Sequence, residues 1–258
     1  MKKLLALLLT AVLIFTFAGC KKKKEEQKTD LEKIKEKGKI VIGITDYEPM
    51  NYKVDGEWTG FDTEFAKLFA KELGVEAEFV EIIWSEKYDV LDKGKIDCIW
   101  NAMTIMPNYQ VDYSVSDPYL QCGQILVMKA DVVGNYDNVY EIRKMRFVVE
   151  KGSAGAACME REGFKDVKEL ETQYDALKAV SSGEADAAII DMIFADTMLG
   201  EGKEFPDLAR GFDYSNENCG VAFRKDSDLL EAFNGFLAEI KDDKLTELAN
   251  KYGLTLSP

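Results

Sequence analysis

Lys93-Gly94-Lys95-Ile96-Asp97-Cys98-Ile99 and, later in the chain, Ser182-Gly183-Glu184-Ala185-Asp186-Ala187-Ala188 follow one rule. Each has a glycine that stops a helix, an aspartate three residues on, and then an apolar strand. Working outward from the first, Ser85 to Lys93 reads as a helix and Ile96 to Trp100 as a strand. Upstream, Ile40 to Ile44 is a β-branched run, and Phe65, Leu68, Phe69 and Leu73 recur at helical spacing before the strand Ala77 to Ile83. Asp62 is placed to cap that helix and Gly74 to end it. Around the second segment, Phe147 to Glu150 is a strand, and Gly152-Ser153-Ala154-Gly155 is a small-residue turn. Ala156 to Glu162 and Thr172 to Ser182 are then helices, and Ala187 to Ile190 is a strand. Strands separated by helices of this length predict an α/β fold of βαβ units on a mainly parallel sheet. The shared rule is the general grammar of α/β chains and does not establish a duplication. It does predict two similar lobes.

Two extended apolar segments, Gln124 to Met128 (QILVM) and Gly220 to Phe223 (GVAF), are placed to join those lobes. After the second, Leu229, Phe233, Leu237 and Ile240 form an amphipathic helix, and Leu245, Leu248 and Tyr252 another that ends at Gly253. If this C-terminal part returns to the first lobe, the chain crosses twice. Two strands between compact lobes make a hinge around a cleft, where small ligands bind. The expected division is a signal peptide at 1–19, a charged tether at 20–30, lobe 1 at 31–123 with 224–258, hinge strands at 124–128 and 219–223, and lobe 2 at 129–218.

At the front, Lys2-Lys3 precede an uncharged run from Leu4 to Ala18, too short for an ordinary transmembrane helix and shaped like a secretory signal. Cys20 directly after Ala18-Gly19 resembles the lipobox of bacterial lipoproteins. That resemblance implies a diacylated thiol and cleavage that leaves Cys20 first. Two acyl chains hold a protein stably on a membrane, where one binds marginally. Lys21 to Asp30 (KKKKEEQKTD) has no apolar residue. It reads as a solvated spacer, whose lysines also suit anionic headgroups. The expected location is outside the cytoplasm, on the bacterial cell membrane through the lipid on Cys20.

Composition removes several classes of function. The 258 residues carry 33 basic and 47 acidic side chains, a net charge of −14 that becomes −16 once Lys2 and Lys3 leave with the signal. Such a surface repels phosphate backbones, so no nucleic-acid partner is expected. The chain has no histidine, which takes away the commonest general base, the commonest metal ligand and every Ser-His or Cys-His pair. Cys98, Cys122, Cys158 and Cys219 lack C-x-x-C spacing, so neither a zinc site nor another metal or cofactor is expected. An exported protein has the means to form two disulfides from these four. Buried free thiols are the preferred reading, because Cys98 lies inside an apolar strand pattern.

Tyr47-Glu48-Pro49-Met50, Gly60-Phe61-Asp62, Gly94-Lys95-Ile96-Asp97, Met103-Thr104-Ile105, Ser116-Asp117-Pro118-Tyr119, Gly152-Ser153 and Asp186 through Asp191 occur in this order along nearly the whole chain. Each is weak alone. Together, behind a lipobox, they resemble the extracytoplasmic solute-binding proteins of ABC transporters for polar amino acids. The resemblance implies the type II periplasmic-binding-protein fold, two α/β lobes that close on a ligand, and docking of a monomer on a membrane permease. It implies that Tyr47 and Trp84 supply aromatic faces to the ligand, which desolvate it and favour cations. Ala102 and Thr104 fall where the family offers backbone and hydroxyl groups to the α-amino and carboxylate ends. Asp191, at the carboxyl end of a strand, matches the aspartate that pairs with the α-ammonium.

The chain departs from the family at two anion-binding positions. Tyr109 stands where many members carry an arginine that grips the carboxylate in a bidentate pair, and Ala154 replaces an assisting threonine. Backbone N–H groups from Ser153 to Gly155, and the Tyr109 hydroxyl, are the remaining candidates to receive a carboxylate. The expected function is therefore a binding receptor, not an enzyme, for a polar amino acid. Three alternatives remain: a receptor for a cationic amine without a carboxylate, a ligand-sensing lipoprotein, and a dehydratase on the same fold.

Overall fold

The computed structural model describes residues 28–258 apart from Asn108 and the side chain of Tyr109; the signal segment, Cys20 and the tether up to residue 27 lie outside the described residues. In the first lobe, the strand Lys39–Ile44 runs parallel to Glu76–Glu81 on one side and to Cys98–Thr104 on the other. The helix Phe61–Leu73 covers this sheet with Phe61, Phe65, Ala66, Phe69 and Ala70 buried, as the helical spacing predicts. Phe65 lies edge-on to Trp100 at 4.9 Å, and Phe69 edge-on to Phe233 at 5.3 Å. Phe233 belongs to the helix Leu229–Ile240, which packs against the helix Phe61–Leu73.

In the second lobe, Ala187–Asp191 is parallel to Phe147–Glu150, which is parallel to Val167–Leu170. Thr172 caps the helix Gln173–Ser182 by accepting from the Asp175 N–H, and Gly183 ends it at φ +79°. The repeated aspartate has one job in both lobes. Asp97 Oδ2 accepts from the Val41 N–H at 2.9 Å, and Asp186 Oδ2 accepts from the Arg146 N–H at 2.8 Å. Each thereby ties the start of its own strand to the start of the neighbouring one. Each also faces an arginine, Arg224 at 3.3 Å from Asp97 and Arg146 at 2.6 Å from Asp186.

The strand Leu120–Lys129 and the long strand Leu208–Phe223 pair antiparallel, from Leu208 opposite Lys129 to Cys219 opposite Leu120, with bulges between Arg210 and Ser215. Beyond Cys219 the long strand pairs with Cys98–Thr104, and Leu120–Lys129 pairs with Ala187–Asp191 through Gln124 to Val127. The described residues thus form one nine-stranded sheet, eight of whose strands make a continuous path through both lobes while Ser114–Val115 pairs to the side with the long strand. The expected parallel pairing holds inside each lobe, while the joining strands are antiparallel, because each leaves one lobe beside the strand that returns. Asp62 differs from its expected place: the helix starts two residues earlier and its N-cap is Gly60, at φ +113°. The Phe61 and Asp62 N–H groups donate to the carbonyls of Pro49 and Met50, at 2.9 and 3.0 Å. A Cβ at Gly60 would lie 2.3 Å from the Met50 oxygen, so this approach requires glycine. With its turn satisfied by backbone, Asp62 is left to act elsewhere. The helix expected from Ser85 begins as a 3₁₀ turn, Trp84–Glu86, and continues as Lys87–Asp92.

Phe65 is fully buried against the rings of Phe61, Trp100, Tyr119, Phe233 and Phe236. Phe65→Ala is expected to lower unfolding free energy by about 3–5 kcal/mol, read from urea denaturation followed by far-UV circular dichroism.

Candidate functional site

Carboxyl ends of parallel strands in the two lobes face each other across a cavity of about 670 Å³. Lys39–Ile44 delivers Thr45, Asp46, Tyr47 and Glu48 to it, and Cys98–Thr104 delivers Asn101 to Thr104. From the second lobe come Glu150, the turn from Gly152 to Ala154, and Asp191.

Asp191 is the last residue of its strand and caps the helix Met192–Met198, Oδ1 accepting from the Ile193 N–H at 2.8 Å. The same oxygen accepts from the Tyr47 hydroxyl, which reaches it from the first lobe. Tyr47 is buried, with its ring edge-on to Phe194 at 5.4 Å. Burial pushes the Asp191 carboxyl up to about 6, against the hydrogen bonds from Tyr47 and Ile193; nearby Glu217 adds to the rise.

Ala102 sits at φ +45°, a conformation an L-residue adopts only when held. The holder is Asp62, whose Oδ2 accepts from the Ala102 N–H at 2.6 Å while Oδ1 accepts from the Tyr119 hydroxyl at 2.8 Å. Burial raises Asp62 to about 7. Two residues on, Thr104 Oγ1 donates to Glu217 Oε2 at 3.0 Å, and Gln124 Nε2 donates to the same oxygen at 3.3 Å. A hydroxyl has one hydrogen, so Thr104 offers the cavity only lone pairs.

Trp84 lines the cavity with Lys87 Nζ 4.5 Å from its ring centre. Lys87 is buried and donates across the cleft to the Gly152 carbonyl at 2.7 Å. Burial lowers its ammonium to about 8 and raises the Glu150 carboxyl to about 8, each shift opposed by the other's charge. Ser153 caps the helix Ala154–Arg161 by accepting from the Ala156 N–H at 3.1 Å, so its hydroxyl oxygen serves the helix.

Six of the expected residues, Tyr47, Trp84, Ala102, Thr104, Ser153 and Asp191, are walls of this one cavity. Tyr109 opens the short helix Tyr109–Asp112, and its side chain lies outside the described residues. Sequence reasoning missed Lys87, Gln124, Glu150 and Glu171. Glu150 was legible: Phe147-Val148-Val149-Glu150 ends in a carboxylate as Ala187 to Asp191 does. Lys87 had no such sign, since a lysine on a helix is ordinarily a solvated one. Among the described residues no group of His, Cys, Asp and Glu side chains is arranged to hold a metal ion, and Cys98, Cys122, Cys158 and Cys219 are buried free thiols.

A sequence model of bacterial extracellular solute-binding proteins, family 3, matches residues 40–255. The arginine-binding extracellular protein ArtP of Bacillus subtilis (strain 168) is 30% identical over 98% of each chain. The ABC transporter glutamine-binding protein GlnH of the same organism is 32% identical over 94% of each chain. Among solved structures, a variant of ArgBP from T. maritima superposes with a TM-score of 0.80 at 29% identity, covering 87% of this chain and 99% of that one.

The buried acid behind Ala102 sets a pH dependence. Folded, Asp62 keeps its proton up to about 7; unfolded, it releases it near about 4. Between these values the folded state binds more protons, so stability falls as pH rises, by at most about 1.4 kcal/mol per pH unit, and levels off above 7. Asp62→Asn keeps an acceptor for Ala102 and removes the titration. Between pH 5 and 7 the wild type should lose about 1–2 kcal/mol more than the variant in urea unfolding; parallel profiles would show that Asp62 is ionised in the fold.

Proposed function

Because the chain belongs to the bacterial extracellular solute-binding proteins, family 3, we propose that it is an extracytoplasmic receptor that closes on a polar amino acid and delivers it to an ABC transporter permease. The observation that carries this reading is Asp191, a buried carboxylate at a strand end inside an interlobe cavity, held by Tyr47 from the opposite lobe. A ligand ammonium there would meet a desolvated carboxylate between aromatic faces, and Tyr47 would tie its capture to closure. The named relatives, which bind arginine and glutamine, support an amino-acid ligand.

In this proposal lobe 1 (31–123 with 224–258) closes on lobe 2 (129–218) about the segments 124–128 and 219–223. No bond is made or broken; both named relatives are binding proteins. Diacylated Cys20 holds the chain on the outer side of the cell membrane, with the charged residues up to Asp30 as a spacer. A second reading, an amine without a carboxylate, is favoured by one observation: Thr104 has given its hydrogen to Glu217 and Ala154 has no hydroxyl, so two donors for a carboxylate are lost.

Asp191→Ala should weaken binding of an ammonium ligand by about 2 kcal/mol or more in titration calorimetry, and unchanged affinity would remove Asp191 from the site. Cys20→Ala should move the protein from the membrane fraction to the soluble one; a variant that still sediments with membranes would exclude the lipid on that thiol.

A further inference from the structure

A cysteine stands on each of the two strands that join the lobes. Cys122 lies in Leu120–Lys129, just before Gln124, and Cys219 lies in Leu208–Phe223, just before Gly220. In the antiparallel pairing Cys122 is opposite Glu217, and Cys219 is opposite Leu120. Side chains alternate between the faces of a strand, so Leu120 and Cys122 share a face with Glu217 and Cys219. The two cysteines are therefore diagonal neighbours on one side of one strand pair.

Contacts bring the sulfurs together. Cys219 pairs with Thr104 on its other flank, and the Thr104 hydroxyl is 3.9 Å from Cys122 Sγ. The Cys122 side chain thus leans across the long strand toward Cys219, and the two thiols are in hydrogen-bonding contact. Both are buried free thiols. Contact with Cys219 lowers the Cys122 thiol, but burial, Asp191 and Glu217 outweigh it; burial drives the Cys219 thiol well up. Cys98 is further off, opposite Phe223, roughly 13 Å along the strand from Cys219. Cys158 belongs to the helix Ala154–Arg161 and meets Glu217 Oε1 at 3.9 Å.

We propose that Cys122 and Cys219 are a disulfide-forming site that staples the two joining strands where they enter the second lobe. The oxidant is an exogenous disulfide, of the kind that persists outside the cytoplasm, where this extracellular family works. Cys122, the less elevated thiol, loses its proton and attacks that disulfide. A mixed disulfide forms and one thiolate leaves, taking up the proton. Cys219 then attacks the Cys122 sulfur and expels the second half of the reagent as a thiol. The protein gives up two hydrogens, and the reagent becomes two thiols. The bridge would enclose residues 123–218, which hold every parallel strand of the second lobe. Closing so long a loop restricts the unfolded chain and favours the fold. It also takes the hydrogen that Cys219 donates to the Ala102 carbonyl at 3.1 Å.

The test needs no ligand, so its failure is distinct from failure of the receptor reading. The full-length chain in detergent is unfolded in urea and refolded in mixtures of reduced and oxidised glutathione. Remaining thiols are alkylated, and the unreduced peptides are mapped by mass spectrometry. The Cys122 and Cys219 peptides should be joined, two hydrogens lighter, about tenfold or more above any other pairing, with Cys98 and Cys158 alkylated. The bridged chain should unfold at a higher urea concentration than the same chain after dithiothreitol. Cys122→Ser and Cys219→Ser should each abolish that shift, and Cys98→Ser should leave it. Cys219→Ser keeps a hydroxyl for the Ala102 carbonyl, which separates loss of the bridge from loss of that hydrogen bond. A different dominant pair overturns the proposal, as does full alkylation of both cysteines at every glutathione ratio. A bridged chain that unfolds no later than the reduced one also overturns it, because the strand pair would then not accept the bond.

Discussion

The antiparallel pairing of Leu120–Lys129 with Leu208–Phe223 is the constraint on which the rest depends. It passes each strand from one lobe's sheet into the other's, so that among the described residues the two lobes share one hydrogen-bonded path joined along this seam. Each lobe then stacks its parallel strands outward from the seam, which points their carboxyl ends at the same gap. Bulges between Arg210 and Ser215 locally break the register of this pairing. A cleft follows from this topology before any ligand is considered.

The cleft is built by giving buried groups two tasks. Asp191 caps a helix and accepts from Tyr47 of the opposite lobe with one oxygen. Asp62 holds Ala102 in a left-handed conformation while anchoring Tyr119. Lys87 lies over Trp84 and bonds the Gly152 carbonyl across the gap. Each is costly to bury and each is hydrogen-bonded, as buried polar groups must be. Two of the three reach across the cleft, so the bonds that fix the walls also draw the lobes together.

The electrostatics of the site are set by desolvation more than by pairing. Asp191 and Glu150 both rise through burial, so a negative cleft without a ligand holds part of its charge as bound protons. A cation bound beside either carboxyl would favour its ionised form. The protein therefore keeps acidic walls close together without their full repulsion when empty. Its net charge of −14 lies on the same side and favours approach of a cation.

The sequence by itself determined the fold class, because hydrophobic spacing and glycine stops are local. It also determined the recurring aspartate at Asp97 and Asp186, whose short reach fixes a local backbone contact in each lobe. It placed Asp191 at the carboxyl end of a strand, where parallel sheets open onto clefts, while Tyr47, Ala102 and Thr104 came from the family resemblance. Only the tertiary structure decided what those residues do. Asp62 reads as a helix cap, and became the support of Ala102 because backbone carbonyls had already taken the cap's bonds. Lys87 reads as a surface lysine, and was buried because the second lobe's Gly152 turn lies over it. Thr104 lost its donor to Glu217, a residue more than a hundred positions away. Such roles arise between elements distant in the chain, where neither periodicity nor spacing carries a signal.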